Sequence, residues 1–169
     1  MKKIALLGLL TFCLNLGNIS YSMENTVTTA VVSQKSERNT FYTLRLKPNQ
    51  DLKKELQAFV KKENIKAGFV VTAVGSLKKA IIRFANQKEN TVIENKFEIV
   101  SLVGTMGQDG LHLHISISDE NGKTIGGHLA DGSLIYTTAE IVLGELNDIN
   151  FVREKDEETT YKELMIYKK

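Results

Sequence analysis

The chain contains three histidines, His112, His114 and His128, and all of them fall in the stretch GLHLHISISDENGKTIGGHL, residues 110–129. A neutral imidazole offers a nitrogen lone pair, so three rings that converge can hold a divalent transition metal. Three histidines plus a water make an open zinc site, and that water ionises near neutral pH. Nickel, copper and iron suit the same donors. The alternative is a polar sheet surface on which the rings never meet. The choice turns on which way each side chain points.

Side chains on a strand alternate between its two faces. In LHLHISIS, Leu111, Leu113, Ile115 and Ile117 form an apolar face, and His112, His114, Ser116 and Ser118 form a polar one. The following DENGK suits a three-residue hairpin loop: Asp119 fits the first turn position and Gly122 the left-handed one. With Glu120, Asn121 and Gly122 in the loop, Asp119 pairs with Lys123 and His128 falls opposite His114. Directly opposed residues project from the same face with Cβ atoms about 5 Å apart. This register also puts Ile125, Gly127 and Leu129 on the core side, and places Ala130 opposite His112. A two-residue Asn-Gly turn would reverse the parity and drive His128 into the core. The three-residue loop therefore gathers all three imidazoles on one side. Gly126 and Gly127 permit close backbone approach there. Asp119, Asp131 and Ser116 are candidates to orient the rings, though nothing in the spacing demands them.

The elements that must carry this hairpin can also be read. TFYTLRLKP is a strand stopped by Pro48, the only proline. In NQDLKKELQAFVKKENI, residues 49–65, the positions of Leu52, Leu56, Phe59 and Val60 make one apolar stripe with lysines opposite, which predicts a helix. Asn49 and Asp51 stand at its N-terminal edge, where capping favours them. Strand patterns follow in AGFVVTAVGS, KKAIIRFAN, KFEIVSLVG, LHLHISIS, KTIGGHLA, LIYTTAEIVLGEL, INFVRE and YKELMIYK, separated by turn signals. These eight segments and one helix predict an α+β domain with a large, mostly antiparallel sheet.

The first 22 residues, MKKIALLGLLTFCLNLGNISYS, have the layout of a secretory signal peptide: two lysines, an apolar run from Ile4 to Leu16, and small residues Ser20 and Ser22 before the expected cleavage. The run is short for a membrane span, and an uncleaved anchor is the alternative. The expected organisation is a leader over 1–22, a polar lead-in over 23–39 in which only VTTAVV could form a strand, and one domain over 40–169. A secreted or periplasmic location follows, with no membrane span in the mature chain. The single cysteine, Cys13, lies in the leader, so the mature chain is expected to lack disulfide and thiolate chemistry.

The chain has 22 Lys+Arg and 20 Asp+Glu, and the excess is the leader's two lysines. A neutral mature protein has no global attraction for phosphate backbones. LKKAIIR, residues 77–83, is the best local basic patch, and it reads more simply as a solvated strand end. Nucleotide-binding loops, nucleophile elbows and cysteine pairs are missing from the pattern.

FEIVSLVGTM, LHLHISISDENGKTIGGHL and IYTTAEIVLGEL, in that order, resemble the plants-and-prokaryotes-conserved (PPC) domain in its stand-alone bacterial form, over about residues 40–168. The resemblance implies an α+β fold assembled as a homotrimer, with a three-histidine metal site usually taken as zinc, for which His112, His114 and His128 match. It also implies a fold like that of acetolactate decarboxylase, which holds zinc through histidines. Plant relatives bind DNA chiefly through an Arg-Gly-Arg-Pro element that this sequence lacks, so nucleic acid is not the expected partner. Lys96 stands where many relatives carry arginine. Glu98 is either an interface or site residue or a solvated strand carboxylate, the latter favoured. The expectation is an exported, trimeric domain binding Zn2+ or another divalent metal. A catalytic role on a small carboxylate or ester, and a binding role toward a small molecule, both remain open.

Overall fold

A computed structural model describes residues 34–169. The expected leader, Cys13 and the VTTAVV segment lie outside the described residues. The elements run β1 (Asn39–Leu46), α1 (Leu52–Lys62), β2 (Gly68–Arg83), β3 (Thr91–Gly107), β4 (Gly110–Ser118), β5 (Thr124–Leu129), β6 (Leu134–Leu146), β7 (Ile149–Lys155) and β8 (Lys162–Lys168). Six strands form a sheet in the order β1-β6-β2-β3-β4-β5, every pair antiparallel. β5 also pairs with β2, so β2, β3, β4 and β5 close into a ring. β7 and β8 form a separate hairpin, tied to the main body by the Phe151 amide, which donates to the Lys66 carbonyl at 3.0 Å. The α+β reading with one helix and a mostly antiparallel sheet holds.

The helix forms where its apolar stripe required. Leu52, Leu56 and Val60 are buried, and the Asp51 carboxylate caps the first turn by accepting from the Lys53 and Lys54 amides at 3.2 Å each. The same carboxylate accepts from Gly132 at 2.7 Å, fixing the helix start to the β5–β6 loop. At the other end the Gln108 amide donates to the Val60 and Ile65 carbonyls, one in the last turn and one just past it. The helix packs into a core shared with Leu77, Ile82, Leu113, Ile115, Ile117, Ile135, Ile141 and Leu143. The opposite face of the sheet is open to solvent around β3 and β4.

One sequence expectation needs correction. The segments expected at 67–76 and 78–86 are a single strand, β2. Register shifts near Val70/Thr72, Gly75/Leu77 and Leu77/Lys79 interrupt the alternation without ending the pairing. Such bulges bend and twist a strand while it remains in its sheet. That curvature lets the far end of β2 reach β5. Among the described residues no helix is long and apolar enough to cross a membrane.

Candidate metal centre

The β4–β5 hairpin has the register read from its turn. The Asp119 amide donates to the Lys123 carbonyl at 3.1 Å, and the Gly122 amide donates to the Asp119 carbonyl at 3.0 Å. Gly122 has φ of +77°, the left-handed conformation that its lack of a Cβ makes easy. His128 stands opposite His114, and Ser118 opposite Thr124. Leu113, Ile115 and Ile117 beneath them are buried, while His112 and His114 are exposed and His128 is half-buried. Ala130 does not sit opposite His112. Beyond His128 the strand leaves β4, and the Ala130 amide donates to the Ile81 carbonyl of β2 at 2.9 Å.

The three rings meet. Nε2 of His112 lies 3.2 Å from Nε2 of His114, which lies 3.0 Å from Nδ1 of His128. One potential ligand atom from each ring falls within 4.8 Å of the others. For tetrahedral zinc with Zn–N near 2.0–2.1 Å, the nitrogens stand about 3.4 Å apart, close to these separations. The pattern also suits a cation better than protons. A ring nitrogen has either one N–H or one lone pair, so His114 Nε2 cannot make a full hydrogen bond to both neighbours. A metal would accept all three lone pairs.

The surroundings of His112 and His128 favour the neutral ring that a ligand must present. The pKa of His112 is held below its ordinary value mainly by burial, then by the charge of Arg153 and by His114, against which Glu163 acts. The pKa of His128 is also lowered, again mainly by burial and then by Arg83. Both shifts favour the uncharged imidazole.

The positions of the arginines follow from the ladders. Arg83 is the direct partner of His128 across β2 and β5, so its side chain leaves the same face. Gly127 allows this: a Cβ there would stand 2.6 Å from the Arg83 carbonyl oxygen, closer than the strands could tolerate. On the other side Thr105 pairs with His112, and the Thr105 hydroxyl accepts from Arg153 at 2.8 Å. Arg83 and Arg153, with His112 and His128, line an open cleft of about 1120 Å³. Sequence reasoning missed both arginines. Arg83 closed a stretch read as a solvated strand end, and no local pattern announces that β7 returns to the histidines.

The other candidates are occupied elsewhere. The Asp119 carboxylate accepts from the Asn121 and Lys123 amides at 2.9 Å, so it shapes the turn. Asp131 pairs with Lys53 at 3.4 Å. Ser116 lies on the histidine face of the strand, and among the described residues none of these three is hydrogen-bonded to a ring. Glu98 is exposed between Ser76 and Ser118. The cations of residues 77–83 do not form one patch. Lys78 bonds Asn49, Lys79 pairs with Glu94 at 3.5 Å, and Arg83 turns to the histidines.

Fold and site together define a small, partly closed antiparallel α+β domain with three convergent imidazoles on its outer face. The chain belongs to the Plants and Prokaryotes Conserved (PCC) domain family, whose profile it matches over residues 33–147. It is 49% identical over 127 residues to a bifunctional protein GlmU of Synechococcus; that stretch is 75% of this chain, but the chain spans only 20% of that relative's length. Among solved structures, a hypothetical protein from Salmonella cholerae-suis superposes with a TM-score of 0.79 at 37% identity, covering 80% of this chain and 98% of that one. A metal-containing protein from Archaeoglobus fulgidus superposes with a TM-score of 0.65 at 25% identity, covering 80% and 99% of the two chains.

Proposed function

We propose that this protein is an exported metal-binding domain in which His112, His114 and His128 hold one zinc ion and leave a coordination position open to the cleft. The observation that carries this reading is the convergence of three ring nitrogens at 3.2 and 3.0 Å. Their chemistry suits zinc, and the depressed basicity of His112 and His128 lowers the cost of presenting neutral rings. The metal-containing relative from Archaeoglobus fulgidus lends support. When bound, the ion would supply Lewis-acid polarisation or an ionisable water. The chain's own residues disfavour protonation of His112 and His128 and leave an approach from the cleft.

The proposal extends to assembly and location. Phe41, Val74 and Val103 are exposed apolar side chains. Val103 is the direct partner of His114, and Phe41 leads across Gly144, Phe69 and Thr105 to His112, so these residues share the histidine face. Exposed apolar surface of this kind fits burial against further copies in a homotrimer, with the metal near the junction. The leader over residues 1–22 supports export, the mature chain starting after it and carrying the domain over 40–169. The likeness of the fold to acetolactate decarboxylase is part of the same proposal, and it favours a lyase or hydrolase role on a small carboxylate or ester over nucleic-acid binding.

Metal analysis of the purified protein, after reconstitution with zinc and removal of excess, tests the centre. About one zinc per chain is expected, falling to background in His114→Ala. A wild-type protein that retains no divalent metal refutes it. Light scattering tests the trimer, and mass spectrometry of the exported protein's N-terminus tests the cleavage.

A further inference from the structure

The cleft beside the histidines carries more positive than negative charge. Lys53, Arg83, Lys88, Arg153 and Lys162 line it against three carboxylates, those of Asp109, Asp131 and Glu163. Only one of these cations, Lys53, is ion-paired among the described residues, to Asp131 at 3.4 Å. Arg83 donates to the Gln87 carbonyl at 3.3 Å and Arg153 to the Thr105 hydroxyl at 2.8 Å, both neutral acceptors. Each guanidinium has further N–H donors in a planar fork suited to a carboxylate.

Their placement is two-sided. Arg83 reaches the triad from the β2–β5 seam beside His128. Arg153 reaches it from β7, past Thr105, beside His112. A ligand lying over the three rings would have one guanidinium on each flank. A divalent ion would add to the positive potential of the cleft. Arg153 also lies beyond the stretch that matches the family, which ends at residue 147, so its contribution belongs to the C-terminal hairpin.

We propose that Arg83 and Arg153 form a two-sided clamp for a small organic carboxylate carrying a second oxygen on the neighbouring carbon, as in a 2-hydroxy or 2-oxo acid. The carboxylate lies between the guanidiniums and the second oxygen takes the open position over His112, His114 and His128. The second half of this assignment rests on the metal reading above; the clamp itself does not. The C-terminal hairpin then selects the ligand, because moving β7 removes one side of the clamp.

Calorimetric titration separates the two parts, using lactate, propionate and inorganic phosphate against zinc-loaded and metal-free protein. Zinc-loaded protein should bind lactate at least about ten-fold more tightly than propionate, with the gap gone when metal is removed. Arg83→Gln and Arg153→Gln should each weaken lactate binding by about ten-fold or more, the usual scale for losing a hydrogen bond to a charged group. Both variants should keep the zinc content and circular dichroism of the wild type. Lactate binding that depends on both arginines in a protein that never takes up metal upholds the clamp and sinks the metal reading. Lactate binding unchanged in both variants overturns the clamp, and so does phosphate binding more tightly than lactate.

Discussion

Replacing His114 by alanine separates the metal from the fold. His114 is the central ring, with one neighbour at 3.2 Å and another at 3.0 Å, and it is exposed on the outer face of the sheet. Its loss should change the stability of the metal-free protein by no more than about 0.5 kcal/mol, the usual scale for an exposed position. The metal-loaded comparison is different. A ligand that binds only the folded state, at 100 times its dissociation constant, stabilises by about 2.7 kcal/mol. For a domain of this size that is roughly 10 °C in melting temperature. If removing the shared ligand weakens affinity about a hundred-fold, the same zinc concentration gives the variant only about 0.4 kcal/mol. Thermal melts followed by circular dichroism, with zinc and with chelator at pH 7.5, measure both quantities. The expected pattern is a zinc-dependent shift of about 10 °C in the wild type, nearly absent in the variant, with the two chelated melts superimposed. Equal zinc shifts in both proteins would refute the claim that these three rings are the site.

Gly127→Ala should destabilise the protein by roughly 1–3 kcal/mol in urea titrations, since the new methyl meets the Arg83 carbonyl and pushes β5 from β2; an unchanged midpoint would mean the seam is looser than its register implies. The pH dependence has a definite sign. His112 and His128 have folded-state pKa values below the 6.5 of the unfolded chain, so the unfolded state takes up protons first on acidification. Metal-free stability contributed by these groups is therefore complete above pH 6.5 and declines as the pH falls from there through the lower folded values, a trend absent from a His112→Ala, His128→Ala double variant. Val74→Lys places a charge on the exposed apolar face at a distance from the histidines; light scattering should report a smaller species than the wild type, and an unchanged mass would remove that face from the interface.

How much was legible depended on the distance between interacting residues. The β4–β5 hairpin could be read correctly from its turn as far as His128, because its turn chemistry and strict alternation are local, and the opposition of His114 and His128 follows from them. Ala130 fell outside that reading because the chain there turns to β2. The helix was equally plain, since Leu52, Leu56 and Val60 all had to face inward. The strand of residues 134–146 was bounded correctly for the same reason. The merging of two expected strands into β2 was not legible, because bulges break the alternation that marks a continuous strand. Nor was the pairing of Arg83 with His128, which joins positions 45 residues apart with no signal in either segment. Asp119, Asp131 and Ser116 stood near the histidines in the chain without serving them. Arg153, far away in the chain, lines the same cleft.

The ring of strands is fastened at its seam by two paired rungs, Ile82 with Leu129 and Arg83 with His128, and by the Ala130 amide on the Ile81 carbonyl. His128 is thus both the last rung and a member of the triad. A cation gripping it would act as a clasp, because β5 could swing free of β2 only after surrendering an inner-sphere bond. Amide hydrogens along Thr124–Leu129 should then exchange with deuterium among the fastest of any strand in chelator and among the slower ones in zinc, so that a small ion governs how readily the whole cylinder breathes.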